Sequence, residues 1–289
     1  MSKEAAISWL GAKFEEYSDK VGAEDILITP EIASLILEKH NLSNRHISTN
    51  IVDQLCADMR HGRFKADNGE TIIFSKEGLL NDGQHRLSAV VKSGIGQVFT
   101  IAFGRDRASR LTVDTGIKRT IGHVLGLLGK PYGNTLAAAA KRVESFRNTG
   151  NITSSGRVSS ARTLEIIDGD VLLDEVAAWA HNHSFKALRL PPSEIATSFY
   201  LFSEKAPRQA KQFFEALREG YGLEKGSPIA TLRTKLLNSP RLNLTERFEL
   251  LVRCWNFWIR DEKIDRYSIM GRIPEILGPK RNANNAEGK

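Results

Sequence analysis

Apolar residues recur at helical spacing at Ile7, Leu10, Phe14 and Tyr17, which predicts an amphipathic helix within residues 1–28. Gly22 breaks it, and the short apolar run Ile26-Leu27-Ile28 follows. Thr29-Pro30 predicts the start of a second helix, because threonine is a good N-cap and proline fits the first turn. A third is expected from about Ser48 or Thr49, with Ile51, Val52, Leu55 and Met59 on one face, ending at Gly62. The period then changes. Thr71–Ser75 is β-branched and aromatic and reads as a strand, followed by a turn at Lys76-Glu77-Gly78 and the short apolar pair Leu79-Leu80. A helix over 84–93, carrying Leu87, Val90 and Val91 and stopping at Gly94, leads to a strand over Val98–Phe103. Strands and helices mixed in this way predict an α+β fold rather than a large doubly wound sheet.

The strand signal fades in the second half. Helical patterns occupy Thr120 to Leu128 and then about 134–147, 161–167, 170–183, 192–204, 206–219, 229–237 and 244–260, with Asn134, Asp170 and Thr245 as candidate caps. Residues 148–160 are polar, small and glycine-containing, as expected of a loop or hinge. No internal repeat is visible. Residues 1–40 read as an N-terminal helical extension, 41–129 as an α+β domain, 130–278 as an all-helical domain and 279–289 as a disordered tail without core residues. The aromatic run Trp255-Asn256-Phe257-Trp258 reads as helix core or interdomain packing rather than a base-stacking platform.

One stretch concentrates chemistry. Leu80-Asn81-Asp82-Gly83-Gln84-His85-Arg86-Leu87 places an acid, a glycine, an amide, an imidazole and a guanidinium where a strand turns into a helix. The first N–H groups of a helix lack internal partners and sit at the positive end of its dipole, so an anion is favoured there. Gly83 lets the backbone approach closely or take a positive φ, and Arg86 can hold two phosphate oxygens at once. Gln84 and His85 add directed hydrogen bonds. Asp82 is less expected beside a phosphate, and a divalent metal or proton abstraction from a hydroxyl would explain it.

Charge and composition narrow the classes. The 289 residues suffice for two domains, the 41% hydrophobic content supports real cores, and no stretch is long and apolar enough to span a membrane. The first residues show no charged-then-apolar signal pattern, so a cytoplasmic protein is expected. Cys56 and Cys254 lie far apart in helix-like patterns and read as core residues rather than a disulfide or metal pair. No C-x-x-C, H-E-x-x-H or Walker A pattern occurs. His181-Asn182-His183 reads as a solvated loop. The net charge of +7 favours polyanionic partners, and residues 40–120 hold twelve Lys/Arg against eight Asp/Glu. Arg105, Arg107 and Arg110 are spaced for a phosphate-contacting surface loop, with a solvated charged turn as the alternative.

In order along the chain, Asn44-Arg45, a helix ending Met59-Arg60-His61-Gly62, a short β segment and Asp82-Gly83-Gln84-His85-Arg86 resemble the ParB/sulfiredoxin superfamily. Gly83-Gln84-His85-Arg86 resembles the Gly-Glu-Arg-Arg turn of partition-type members, and is more similar to the Gly-Cys-His-Arg turn of sulfiredoxins and the Asp-Gly-Gln-His-Arg signature of phage and DNA-modification relatives. The resemblance covers roughly residues 40–125 and implies a sulfiredoxin-like fold for 41–129, with a turn that binds nucleotide phosphates. It assigns Asn44, Arg45, Gly83, Gln84 and Arg86 to phosphate or nucleotide binding. Gln84 stands where sulfiredoxins carry their cysteine, so thiol-dependent reductase chemistry is not expected. A second segment, Asp114-Thr115-Gly116-Ile117-Lys118-Arg119-Thr120, again sets an acid, a glycine and basic residues before a helix and falls where such domains carry another phosphate-contacting stretch; the alternative is that Asp114 and Thr120 cap the turn and Arg119 is solvated.

Three functions follow as alternatives. The first is an enzyme that binds a nucleoside triphosphate, CTP or ATP, with Mg²⁺ and hydrolyses it or transfers phosphoryl. In it Arg86, Arg119 and Thr120 hold phosphates, His85 orients or protonates, and Asp82 or Asp114 positions the metal or nucleophile. The second is a DNA-binding module without turnover, in which the helical half supplies homodimerisation or specificity. The third is a nuclease using the same acid and metal.

Overall fold

Tyr17, Phe74 and Phe103 form an aromatic stack, with ring centroids 5.0 Å and 5.7 Å apart, that fastens the first helix to a small sheet. In the computed structural model, which describes residues 3–65, 68–111, 120–153 and 158–280, the chain divides into two compact units, Met1–Lys118 and Arg119–Lys289.

The first unit is α+β. Helix α1 (Lys3–Glu16) buries Ala6 and Leu10, while Ile7, expected on the same face, is exposed. The apolar run at 26–28 belongs to a strand, β1 (Gly22–Ile28), and α2 (Pro30–Lys39) follows with the Thr29 hydroxyl accepting from the Ile32 N–H. Helix α3 (Thr49–Arg60) buries Val52, Cys56 and Met59 but leaves Ile51 in solvent. Strands β2 (Ile72–Ser75) and β3 (Leu80–Asp82), helix α4 (Gln84–Ser93) and strand β4 (Gln97–Arg105) complete the order. The sheet runs β1-β4-β2-β3: β1 is antiparallel to β4, β2 parallel to β4, and β3 antiparallel to β2. Residues 1–40, read from sequence as an extension, therefore supply an edge strand and two helices to the core that carries the motif turn. Gly104 (φ +70) brings β4 under the Lys20 carbonyl, where a Cβ would come within 2.0 Å of that oxygen.

Among its described residues the second unit contains helices only. These are α5 (Ile121–Leu127), α6 (Gly133–Thr149), α7 (Ser160–Asp168), α8 (Val171–Asn182), α9 (Pro192–Ser203), α10 (Pro207–Glu219), α11 (Pro228–Asn238) and α12 (Leu244–Trp258). Asp170 caps α8 as expected. Asn243, not Thr245, caps α12, in a reciprocal box with Glu246, and Asn134 lies inside the first turn of α6 rather than capping it. Trp255 is fully buried, its ring centroid 4.8 Å from that of Phe202, so the aromatic run is core as read. Cys56 and Cys254 are buried and unbridged. His183 closes α8, its Nδ1 hydrogen-bonded to the Trp179 carbonyl and its ring stacked on Trp179, rather than sitting in a solvated loop. After α12 the chain runs without regular structure to residue 280. It is held by the fully buried Glu249, which accepts from the N–H groups of Met270 and Gly271, and by the Trp255 indole donating to the Leu277 carbonyl. No helix among the described residues is long and apolar enough to cross a membrane.

Candidate functional site

The turn is built by Gly83. At φ +110 its backbone occupies a region that side-chain-bearing residues avoid, and a Cβ there would lie 2.9 Å from Ile72 Cγ1. Glycine at this N-cap position also leaves the start of α4 without a side-chain cap. The helix is anchored through buried Leu87, Ala89 and Val90 and ends at Gly94 in the left-handed region.

The polar residues of the turn face two ways. Gln84, buried, donates to the Arg45 carbonyl at 2.9 Å and accepts from Asn41 Nδ2 at 3.3 Å. His85 Nε2 accepts the Ser48 N–H at 3.0 Å, so this nitrogen is unprotonated and any proton the neutral ring carries is on Nδ1. Both side chains thus fasten α4 to the segment 41–48. Asn44 completes that lacing by donating to Asn41 Oδ1 at 2.6 Å and to the Leu80 carbonyl at 2.7 Å. Arg45 contributes its carbonyl, while its side chain is exposed.

Asp82 and Arg86 form the other half. Arg86 Nη2 donates to Asp82 Oδ2 at 2.7 Å, with the guanidinium side chain only 11% exposed. Nη1 is buried and has no hydrogen-bond acceptor among the described residues. The Glu70 carboxylate lies 3.4 Å from it, close enough for an ion pair but not aligned for a hydrogen bond, and Glu70 itself is largely in solvent. A buried charged donor without an acceptor costs roughly 1–3 kcal/mol or more, so this nitrogen is the least satisfied point of the turn.

Compared with known protein families, curated proteins and solved structures, the chain matches none.

The remaining sequence-derived candidates are placed as follows. Arg107 is not available to an external phosphate: its Nη1 donates to the Leu80 carbonyl at 2.6 Å and to Asn81 Oδ1 at 2.8 Å, and Nη2 to the Leu42 carbonyl at 2.5 Å. It clamps β3 to the loop after α2. Arg105 is exposed at the end of β4. Asp114, Arg119 and the Arg110 side chain lie outside the described residues. Thr120 belongs to the second unit, where its hydroxyl caps α5 by accepting from the His123 N–H. Sequence reasoning missed Asn41, Ser48, Glu70 and Arg107 as partners of the turn; only the adjacency of Asn41 to Asn44-Arg45 hinted at any of them.

His40 supports the same loop from beneath. Its Nδ1 donates to the Gly78 carbonyl at 2.8 Å, its own carbonyl accepts the Leu80 N–H, and its ring packs on Phe14. Burial pushes its pKa below the ordinary imidazole value, against the opposing pull of the Gly78 carbonyl.

For Mg²⁺, Asp82 offers one carboxylate beside the guanidinium, a fit to an ion that takes one or two protein carboxylates plus phosphate oxygens. Among the described residues no three His, Cys, Asp or Glu side chains converge as a self-contained metal site.

Proposed function

We propose that the turn at 82–86 binds the phosphates of a nucleoside triphosphate, CTP or ATP, with Mg²⁺, in a DNA-related process. The observation that carries the reading is the buried Arg86 Nη1 without a hydrogen-bond acceptor at the uncapped start of α4. A phosphate oxygen would satisfy that nitrogen at the positive end of the α4 dipole. The order of motifs and the small mixed sheet are compatible with a ParB/sulfiredoxin-like unit. Asp82, released from Arg86, would hold the metal on the phosphates; Mg²⁺ when bound supplies charge neutralisation for hydrolysis or phosphoryl transfer. Binding without turnover is the second reading, favoured by the commitment of Gln84 and His85 to the 41–48 loop.

Titration with ATP, CTP, GTP and UTP in the presence of Mg²⁺ tests the proposal. Arg86→Ala should weaken the preferred nucleotide about 10- to 100-fold, the value of one or two charge-assisted hydrogen bonds. Glu70→Gln, which removes a competing exposed carboxylate, should tighten it by up to about fivefold. Absence of nucleotide binding, or binding indifferent to Arg86→Ala, would overturn it. Phosphate release measured alongside separates turnover from binding alone.

A further inference from the structure

The basic excess of the chain belongs to its helical unit. Residues 1–118 hold 15 Lys/Arg against 16 Asp/Glu, whereas residues 119–289 hold 26 against 18. Part of that excess lines a groove of about 940 Å³ between α11 and the irregular segment that follows α12. One wall is the face of α11 carrying Thr231, Thr234, Lys235 and Asn238, spaced three and four residues apart. The other walls bring Lys225 and Arg266. Lys225, Lys235 and Arg266 form no ion pair among the described residues, and Asp265 is the one carboxylate in the lining.

We infer that this groove binds the backbone phosphates of duplex nucleic acid. The groove is far larger than a single phosphate and receives cations from three separate chain segments, which suits a run of phosphates rather than one compact anion. The aromatic side chain in the lining, Tyr267, is 3% exposed with its hydroxyl directed to the Pro228 carbonyl, so no ring is presented for base stacking. Contacts through phosphates alone make binding tolerant of sequence and sensitive to salt. The groove is preformed: Thr231 Oγ1 donates to the Ile264 carbonyl at 2.8 Å, the Ile264 N–H reaches the Gly226 carbonyl at 3.1 Å, and Glu249 pins the chain just beyond. The inference goes beyond the nucleotide reading and does not depend on it.

Fluorescence anisotropy of the full chain with a labelled duplex DNA, in the absence of nucleotide, tests it. Three phosphate contacts should weaken binding about 40-fold between 50 and 200 mM salt. The triple variant K225A/K235A/R266A should lose at least tenfold in affinity and most of that salt dependence. The charge-matched control K205A/R208A/K211A, which removes three exposed cations from the link between α9 and α10 and from α10 itself, should bind as the unaltered chain does. Thermal melts establish that both variants fold, as expected for changes at exposed or half-buried positions. No measurable DNA binding, an unaffected groove triple, or equal losses in the two triples would each overturn the inference. Because nucleotide is left out, a failure of the Arg86 proposal leaves this result unchanged.

Discussion

Arg86 Nη2 and the Asp82 carboxylate lie 2.7 Å apart across the turn, so its base and its acid neutralise one another in the free protein. A phosphate that took over the guanidinium would free Asp82 for a cation, and the proposed binding of anion and metal would then be coupled. Asp82→Asn is therefore expected to act with opposite signs. Nucleotide binding without metal strengthens, because Nη2 is released, while the enhancement by Mg²⁺ shrinks. Calorimetric titrations with and without Mg²⁺ measure both; a uniform change in the two conditions would break the coupling.

Arg107 is expected to behave as a clamp. Its guanidinium reaches carbonyls of two segments that are distant in sequence, Leu42 and Leu80. Arg107→Ala should cost about 2–3 kcal/mol of first-unit stability by taking the guanidinium donor from the Leu42 carbonyl and Asn81 Oδ1, with the Leu80 carbonyl keeping only Asn44. Arg107→Lys should recover little, since an ammonium lacks the fork geometry. Denaturant midpoints check this, and a loss of DNA affinity at unchanged stability would contradict it.

The half-buried imidazole of His40 predicts a pH response. Its pKa is depressed in the folded state, so the neutral ring is the form that the fold favours. The stability it contributes is present above the ordinary value of about 6.5 and is lost as pH falls through the lower folded value. Melting temperature should drop on acidification from pH 7.5, and His40→Gln should flatten the part due to this ring. The His40 resonances followed by NMR give the folded titration directly.

Glu249 should be the costliest single carboxylate in the helical unit. It is fully buried and accepts from Arg253 Nε at 2.8 Å as well as from two backbone N–H groups. Glu249→Ala is expected to destabilise by about 3–5 kcal/mol, since a buried arginine contact and two amides lose their acceptor. Limited proteolysis should then cut first within residues 262–280, and Glu249→Gln should fall between the two.

Local signals made much of this architecture readable. Gly83 and Gly94 bracket α4 as turn glycines do, Thr29 and Asp170 cap as their chemistry suggests, and the helices of the second unit carry clear apolar periods. In the sequence strand β1 shows only as an apolar run, because its ladder partner β4 lies far along the chain and only that pairing makes it a strand. The turn residues were identifiable by type but not by direction. Gln84 and His85 carry the chemistry of ligand donors, yet the Arg45 carbonyl and the Ser48 N–H that engage them come from a loop about 40 residues earlier. Arg107 sits in a charged surface-like stretch, and nothing near it in sequence announces its acceptors.

The strand order has a consequence for biosynthesis. β4 lies between β1 and β2 in the sheet, with Gly22 paired to Phe103 and Ile72 to Ile101. A nascent chain that has emerged only as far as α4 holds the whole motif, yet both β1 and β2 still present open edges that template pairing with other chains. The turn at 82–86 is thus translated before the strand that locks its scaffold, and the sheet of the first unit can close only once residue 105 has left the ribosome.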